Sequence, residues 1–237
     1  MKKLVGVLLA CSISAIALCQ KMDPFDFHVA DIRLITDKRI QSEIRLAPAQ
    51  ITMMNALADE NRRKLRAYQE QVAKAGRDPN RIPDTDPILQ KTYLELKQQV
   101  LSHLSPAQLK RIRELTLQSV GLSGMLDAVV AKRVGLSEAQ LKKAIQIYTK
   151  GSNASHQIEL KVREEVIAPY KTIRPKTQQE AQALNDKIGA LLRAAMAKRQ
   201  PEIKKIALQT RKEFESVVSP SQLAAYKALG GKTFKPK

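Results

Sequence analysis

The sequence predicts an all-α protein built of elongated helical hairpins that form two tandem repeats. Three observations carry this prediction. Apolar residues recur at intervals of three and four along nearly the whole chain, no segment alternates like a β-strand, and one helix-starting pattern occurs four times. The chain has 237 residues, a formal net charge of +18 and 4% aromatic residues. We therefore expect long basic helices rather than a sheet-based domain.

The first element is an export signal. Two lysines precede an apolar run from Leu4 to Leu18, and a polar segment begins at Gln20. The run has about 15 residues, fewer than the roughly 20 that a membrane-spanning helix needs, and its layout is that of a secretory signal. We expect residues 1–19 to be cleaved, which leaves a periplasmic or secreted chain without a transmembrane segment. A lipoprotein anchored through Cys19 is the less favoured alternative.

Cysteine content and charge limit what the mature chain can do. Both cysteines, Cys11 and Cys19, lie within the expected signal, which excludes disulfides, thiolate metal sites and a cysteine nucleophile from residues 20–237. That segment has 39 basic and 23 acidic side chains, and residues 119–237 carry +12 of its net +16. Such a charge attracts acidic polypeptides, lipid head groups, cell-wall polymers or nucleic acid, or it only keeps helix faces solvated.

Two long helices are predicted in each half of the mature chain. In the first half, helical spacing runs from Ile51 to Val72 and from Leu89 to Val100, and residues 76–87 contain three prolines that mark the loop between them. In the second half, Thr177 and Glu180 form a capping box that opens one helix over residues 177–217, with a kink at Pro201. Further breaks are predicted at residues 121–124 and 169–175.

A four-fold pattern marks the starts of helices. Its copies are Leu46 and Gln50; Leu104, Ser105 and Gln108; Leu136, Ser137 and Gln140; and Val218, Ser219 and Gln222. Each serine is placed to cap a helix, and each glutamine is placed to return a hydrogen bond to the cap backbone. The apolar residue before the cap forms a hydrophobic staple with one inside the helix. The first copy has Ala47 at the cap position and lacks the hydroxyl.

The four copies belong to a longer repeat. Residues 35–51 align with residues 125–141 at an offset of 90, and the second and fourth copies align at an offset of 114. We interpret this as a tandem duplication in which each half has a short first helix, two long helices and a short closing helix. The predicted units are residues 20–120 and residues 121–237, and the second unit ends in a basic tail.

With these four motifs, the chain resembles the LTxxQ-motif family of periplasmic proteins (Spy/CpxP-like). The resemblance rests on the motif residues and, with the duplication, covers most of the mature chain. It implies an envelope-stress protein, and the Spy-like members are ATP-independent chaperones that pair as thin, curved helical dimers with a basic cradle for unfolded chains. This chain has four motifs rather than two, so one chain would do what two subunits do there, and either a monomer or a homodimer is compatible with the sequence.

Basic clusters on the predicted helices are candidate contacts for unfolded or acidic polypeptides. The candidate client-binding residues are Arg62, Arg63, Arg66, Lys204, Lys205, Arg211 and Lys212. A further basic cluster of the same kind comprises Lys110, Arg111 and Arg113. These clusters favour a surface that attracts its clients by charge.

The sequence gives little support to an enzyme. His28, His103 and His156 are isolated, and no paired cysteines, histidine motif or glycine-rich phosphate loop occurs, so no metal or cofactor is expected. The best-supported function is that of a Spy-like chaperone. The alternatives are a CpxP-like stress sensor or adaptor with one envelope partner, and a structural protein tethered to anionic envelope polymers. Specific nucleic-acid binding is disfavoured because aromatic residues are scarce.

Overall fold

A computed structural model describes residues 23–235, and all regular secondary structure in this range is helical. The α-helices are α1 (Pro24–Val29), α2 (Lys38–Glu43), α3 (Pro48–Lys74), α4 (Pro87–Ser102), α5 (Pro106–Val120), α6 (Ala128–Arg133), α7 (Glu138–Ile167), α8 (Gln178–Glu215) and α9 (Pro220–Leu229). Short 3₁₀ segments lie at Ile32–Thr36, Pro79–Arg81, Gly121–Leu126 and Ala168–Tyr170. The all-α prediction is confirmed, and the expected signal at residues 1–19 lies outside the described residues.

The long helices pair in sequence order to form two hairpins, which we call the first arm (residues 48–102) and the second arm (residues 138–215). Helix α3 packs against α4, and α7 packs more extensively against α8. The predicted helix over residues 177–217 is present as α8, which continues through Pro201. None of the helices within residues 23–235 combines the length and apolar character needed to cross a bilayer.

The predicted caps form at the motif serines. The hydroxyl oxygens of Ser105, Ser137 and Ser219 each accept a hydrogen bond from the backbone N–H of the motif glutamine, at 3.2 to 3.3 Å. Ala47 makes no such bond because its side chain has no oxygen to accept one. The capping box expected at Thr177 is only half formed, because the Glu180 carboxylate accepts from the Lys176 N–H rather than from the Thr177 N–H.

The apolar core consists of two clusters. The first lies between α2, the base of the first arm and α5, with Leu101 and Ile112 at its centre. The second lies between α6, the base of the second arm and α9, with Met125, Val130 and Phe214 fully buried. Each cluster is formed mainly by one predicted half of the chain.

The first and last described segments each pack against the core of the other half. Phe25 of α1 lies in the second cluster, although α1 precedes the first half of the chain. Phe234, beyond α9, packs against the first cluster. Helix α5 contributes Ile112 to the first cluster and Leu117 to the second. The two cores are therefore joined by α1, by α5 and by the segment beyond α9, not only by the connection after residue 120.

The two halves have matching patterns of burial. From residue 42 to residue 72, every residue that is buried, half-buried or exposed matches a residue of the same class 90 positions later. The 3₁₀ segment Ile32–Thr36 and helices α2 and α3 also have counterparts in the second half, namely Gly121–Leu126, α6 and α7. At residues 121–124 the sequence had predicted only a break. This correspondence agrees with the tandem duplication inferred from the sequence, which stays an interpretation.

Three buried polar side chains join α1 and the residues just after it to α4 and α5. Arg113 of α5 donates from Nε to Asp26 at 2.9 Å and from Nη1 to the Leu229 carbonyl. Lys97 donates to the His28 carbonyl at 2.8 Å, and burial lowers its pKa. Thr116 accepts from the Asp31 N–H at 3.0 Å. Because each of these buried groups has a hydrogen-bond partner, burying them costs little free energy of folding.

Candidate functional site

The motif glutamines join pairs of helix starts. In the second half, Gln140 Nε2 donates to the Val217 carbonyl at 2.9 Å and Gln222 Nε2 donates to the Gly135 carbonyl at 2.6 Å. Each Nε2 also donates to the partner's Oε1 at 3.1 Å, while each Oε1 accepts from the N–H of its own cap residue. We call this reciprocal arrangement a glutamine clamp.

A second glutamine clamp has the same form in the first half. Gln50 Nε2 donates to the His103 carbonyl at 2.6 Å, and Gln108 Nε2 donates to the Arg45 carbonyl at 3.2 Å. The two side chains exchange bonds at 3.0 and 3.2 Å. The clamp residues are therefore used within the fold at the bases of both arms, which leaves the surfaces of the arms as the candidate binding site.

The arms have very little core of their own. In α3 only Met54 and Val72 are buried, in α7 only Ala144 and Val162, and in the whole of α8 only Phe214. A pair of helices covers one face of each member and leaves the remaining apolar side chains in water. Large apolar residues that are 39% to 60% exposed on the arms are Met53, Ile88, Tyr93, Leu94, Ile145, Leu160, Ile173, Leu191 and Leu208.

The predicted client-binding cations lie on both arms and are exposed. Arg62, Arg63 and Arg66 are on α3, where Arg62 bonds to Asp59. Lys204, Lys205, Arg211 and Lys212 are on α8. Arg211 Nε lies 2.8 Å from Glu215 Oε1, whereas within residues 23–235 the three lysines have no carboxylate at ion-pair distance.

Charge is distributed unevenly between the arms. Residues 138–215 contain 16 basic and 9 acidic side chains, a net charge of +7, whereas residues 48–102 contain 9 basic and 7 acidic side chains, a net charge of +2. Because many of the cations in the second arm are exposed, this arm presents the stronger positive field to an approaching polyanion.

The basic cluster on α5 is not a free surface, contrary to its interpretation from sequence. Only Lys110 is exposed. Arg111 donates to Glu43 and Glu114, each at 2.8 Å. Arg113 is buried against α1, where it bonds to Asp26. Helical spacing alone could not reveal this, because their partners are 68 and 87 residues distant in sequence.

An apolar groove of about 380 Å³ lies at the base of the first arm. Its apolar lining comprises Ile32, Ile35, Leu46, Ile51, Met54, Ala58, Tyr93, Leu96 and Val100. In the second arm, the positions equivalent to Ala58 and Val100 hold Tyr148 and Phe214, whose rings pack edge to face with centroids 5.2 Å apart. The groove is thus open where the second arm is filled by an aromatic pair.

A histidine and a carboxylate meet at the start of α6. His28 Nε2 lies 2.8 Å from Asp127 Oδ2. Burial alone would raise the pKa of Asp127, but hydrogen bonds from His28 and from the start of α6 hold it below its usual value. In the part of the chain that the structure describes, no group of three or more His, Cys, Asp or Glu side chains could hold a metal ion.

The arms therefore offer long rows of exposed apolar and basic side chains together with one apolar groove. Such a surface can hold an extended polypeptide through many weak contacts, without a deep pocket of fixed shape. In comparisons with known proteins, no family model, curated protein or solved structure matches this chain.

Proposed function

We propose that this protein is an ATP-independent, Spy-like chaperone that holds unfolded or acidic polypeptides on the surfaces of its two arms. The observation that carries the proposal is the thinness of the arms. Helix α8 has 38 residues and a single buried side chain, and its remaining surface carries both lysines and exposed leucines. Exposed apolar side chains along a helix of this length are typical of a surface that binds a partner.

Capture would proceed in two physical steps. The net charge of +7 on the second arm attracts acidic segments at long range. Exposed apolar residues such as Leu208 and Met53 then contact the client's own apolar residues, and methionine adapts to clients of different shape. The groove beside Ala58 offers a partly enclosed place for one larger apolar side chain. The LTxxQ resemblance and the N-terminal pattern support a periplasmic or secreted location, where ATP is not supplied.

The experiment is a light-scattering assay of an unfolding acidic client without nucleotide. Aggregation should slow in the presence of the protein. Raising the salt concentration from about 0.05 to about 0.5 M shortens the screening length from roughly 14 to roughly 4 Å and should weaken the protection. Reversal of Lys204, Lys205, Arg211 and Lys212 to Glu should impair capture in the same way, while the helical circular dichroism signal is unchanged.

A second variant tests the apolar contribution without any change of charge. Ala58→Tyr fills the groove with the ring that the second arm has at Tyr148, so protection should fall while salt dependence is retained. Ala56→Tyr adds the same ring at an exposed position of α3 and serves as the matched control. If client aggregation is unchanged at low salt while a pull-down retains one envelope protein, the chaperone proposal is wrong and the adaptor takes its place.

A further inference from the structure

A cationic cleft lies where the C-terminal segment crosses α2, away from both arms. It encloses about 610 Å³ and has five cations in its lining: Lys38, Arg39, Arg45, Lys232 and Lys235. The first three belong to α2 and the turn that follows it, whereas the two lysines come from the segment beyond α9. Residues nearly 200 positions apart in sequence thus meet in one concave site.

The fold holds the C-terminal side of the cleft in place. Gln118 Nε2 donates to the carbonyls of Gly230 and Lys232 at 2.6 and 2.8 Å, and its Oε1 accepts from the Phe234 N–H at 2.8 Å. Arg111 donates to the same Lys232 carbonyl at 2.7 Å. The Phe234 ring packs against the first core cluster. The two lysines therefore extend from an anchored backbone rather than from a free tail.

The carboxylates near the cleft are already neutralised. The Asp37 carboxylate accepts hydrogen bonds from two guanidinium nitrogens of Arg39, the shorter at 2.6 Å. The Glu43 carboxylate accepts a hydrogen bond from Arg111. Within residues 23–235, Lys38, Arg45, Lys232 and Lys235 have no carboxylate at ion-pair distance. Counting Arg39, Arg111 and the carboxylates of Asp37, Glu43 and Glu114, six cations face three anions, an excess of +3.

The backbone at Arg45 is strained in a way that favours a function for its side chain. Arg45 has φ 52°, and the equivalent position of the second half is Gly135, with φ 75°. This left-handed conformation costs a residue with a Cβ of the order of 1 kcal/mol, and glycine avoids the cost. Strain of this kind is typical of positions whose side chain serves binding, so the arginine here adds to the inference from charge.

We propose that this cleft binds a ligand that carries several phosphoryl groups at short spacing. A single carboxylate would use one or two of the unpaired cations, whereas each phosphoryl group brings between one and two negative charges and three acceptor oxygens. Arginine and lysine are the side chains that bind such groups most strongly. The ligand is either a free oligophosphate or the clustered phosphates of a lipid surface. This proposal does not depend on the chaperone function.

The test is calorimetric titration of the full chain with inorganic tripolyphosphate at low salt, together with sedimentation with vesicles of an anionic or a zwitterionic phospholipid. Lys232→Gln/Lys235→Gln should weaken binding roughly tenfold or more, because charge-assisted hydrogen bonds are lost. Lys142→Gln/Lys143→Gln removes the same charge from exposed positions on α7 and should leave the dissociation constant unchanged. Binding to tripolyphosphate identifies a free oligophosphate, and binding only to anionic vesicles identifies a lipid surface.

Two further variants distinguish binding at a site of fixed geometry from nonspecific attraction of anions by positive charge. Phe234→Ala removes no charge but releases the C-terminal segment, so binding should weaken while helicity is retained. Arg45→Gly should weaken binding while the melting temperature rises, because glycine relieves the strain. The proposal is overturned if the α7 control weakens binding as much as Lys232→Gln/Lys235→Gln, or if neither tripolyphosphate nor anionic vesicles bind. None of these outcomes alters protection of clients by the arms.

Discussion

The glutamine clamp of the second half should be worth several kilocalories per mole. Gln140→Met keeps the length of the side chain but removes four hydrogen bonds: from Ser137 N–H at 3.0 Å, to the Val217 carbonyl at 2.9 Å, and two with Gln222 at 3.1 Å. At about 0.5–1.5 kcal/mol each, reduced because the pair is only partly buried, we expect a loss of about 2–4 kcal/mol in the free energy of unfolding. The exposed Gln146→Met on the same helix should change it by less than about 0.5 kcal/mol.

Urea unfolding followed by circular dichroism measures both variants and the double variant with Gln222→Met. Two of the four bonds are shared by the glutamines, so both single variants lose them and the double variant loses them only once. The free energy of unfolding lost in the double variant should therefore be smaller than the sum of the two single losses by about 1–2 kcal/mol. Additive losses, or a Gln140→Met variant as stable as Gln146→Met, would show that the glutamines do not act as a pair.

Three further predictions concern caps, packing and pH. Ala47 has φ −70° and ψ 148°, close to the −72° and 158° of Ser137, so Ala47→Ser should add a cap and raise stability in a urea titration by about 1 kcal/mol, and Ser137→Ala should lower it equally. Gly151→Ala should destabilise the second arm by about 1–3 kcal/mol in thermal melts, because its Cβ would lie 2.1 Å from Thr210 Oγ1, and Thr210→Ala should restore most of the loss. Burial raises the pKa of Tyr226 to about 12, so its contribution to stability is complete below the ordinary tyrosine pKa of about 10 and is lost as pH rises to 12; Tyr226→Phe should move the alkaline unfolding midpoint upward.

Local sequence patterns predicted the helices and their starts because capping is a short-range interaction. Ser105 and Gln108 are three residues apart, and the bonds between them form wherever a helix begins at that point. The spacing of apolar residues similarly predicted both arms, since each long helix shows a face at helical period. The same patterns could not show that Gln50 also bonds to Gln108, because that contact depends on how two helix starts meet.

The parts of the site that sequence did not reveal depend on contacts between distant residues. Arg113 belongs to a basic cluster in sequence but is buried beside Asp26, 87 residues away. The groove beside Ala58 becomes visible only when the two arms are compared, since an alanine in an amphipathic helix carries no signal of a cavity. The anchored segment around Lys232 looked like a basic tail because the glutamine that holds it, Gln118, lies on α5.

The contact between Phe234 and the first core cluster has a consequence for when that core can be completed during synthesis. Phe234 is made well over 100 residues after the buried members of the first core cluster, against which it packs. A nascent chain that folds from its N-terminus therefore leaves the first core uncovered at the Phe234 position until residue 234 has been made. A chain truncated before residue 230 lacks Phe234 and should therefore keep that surface open.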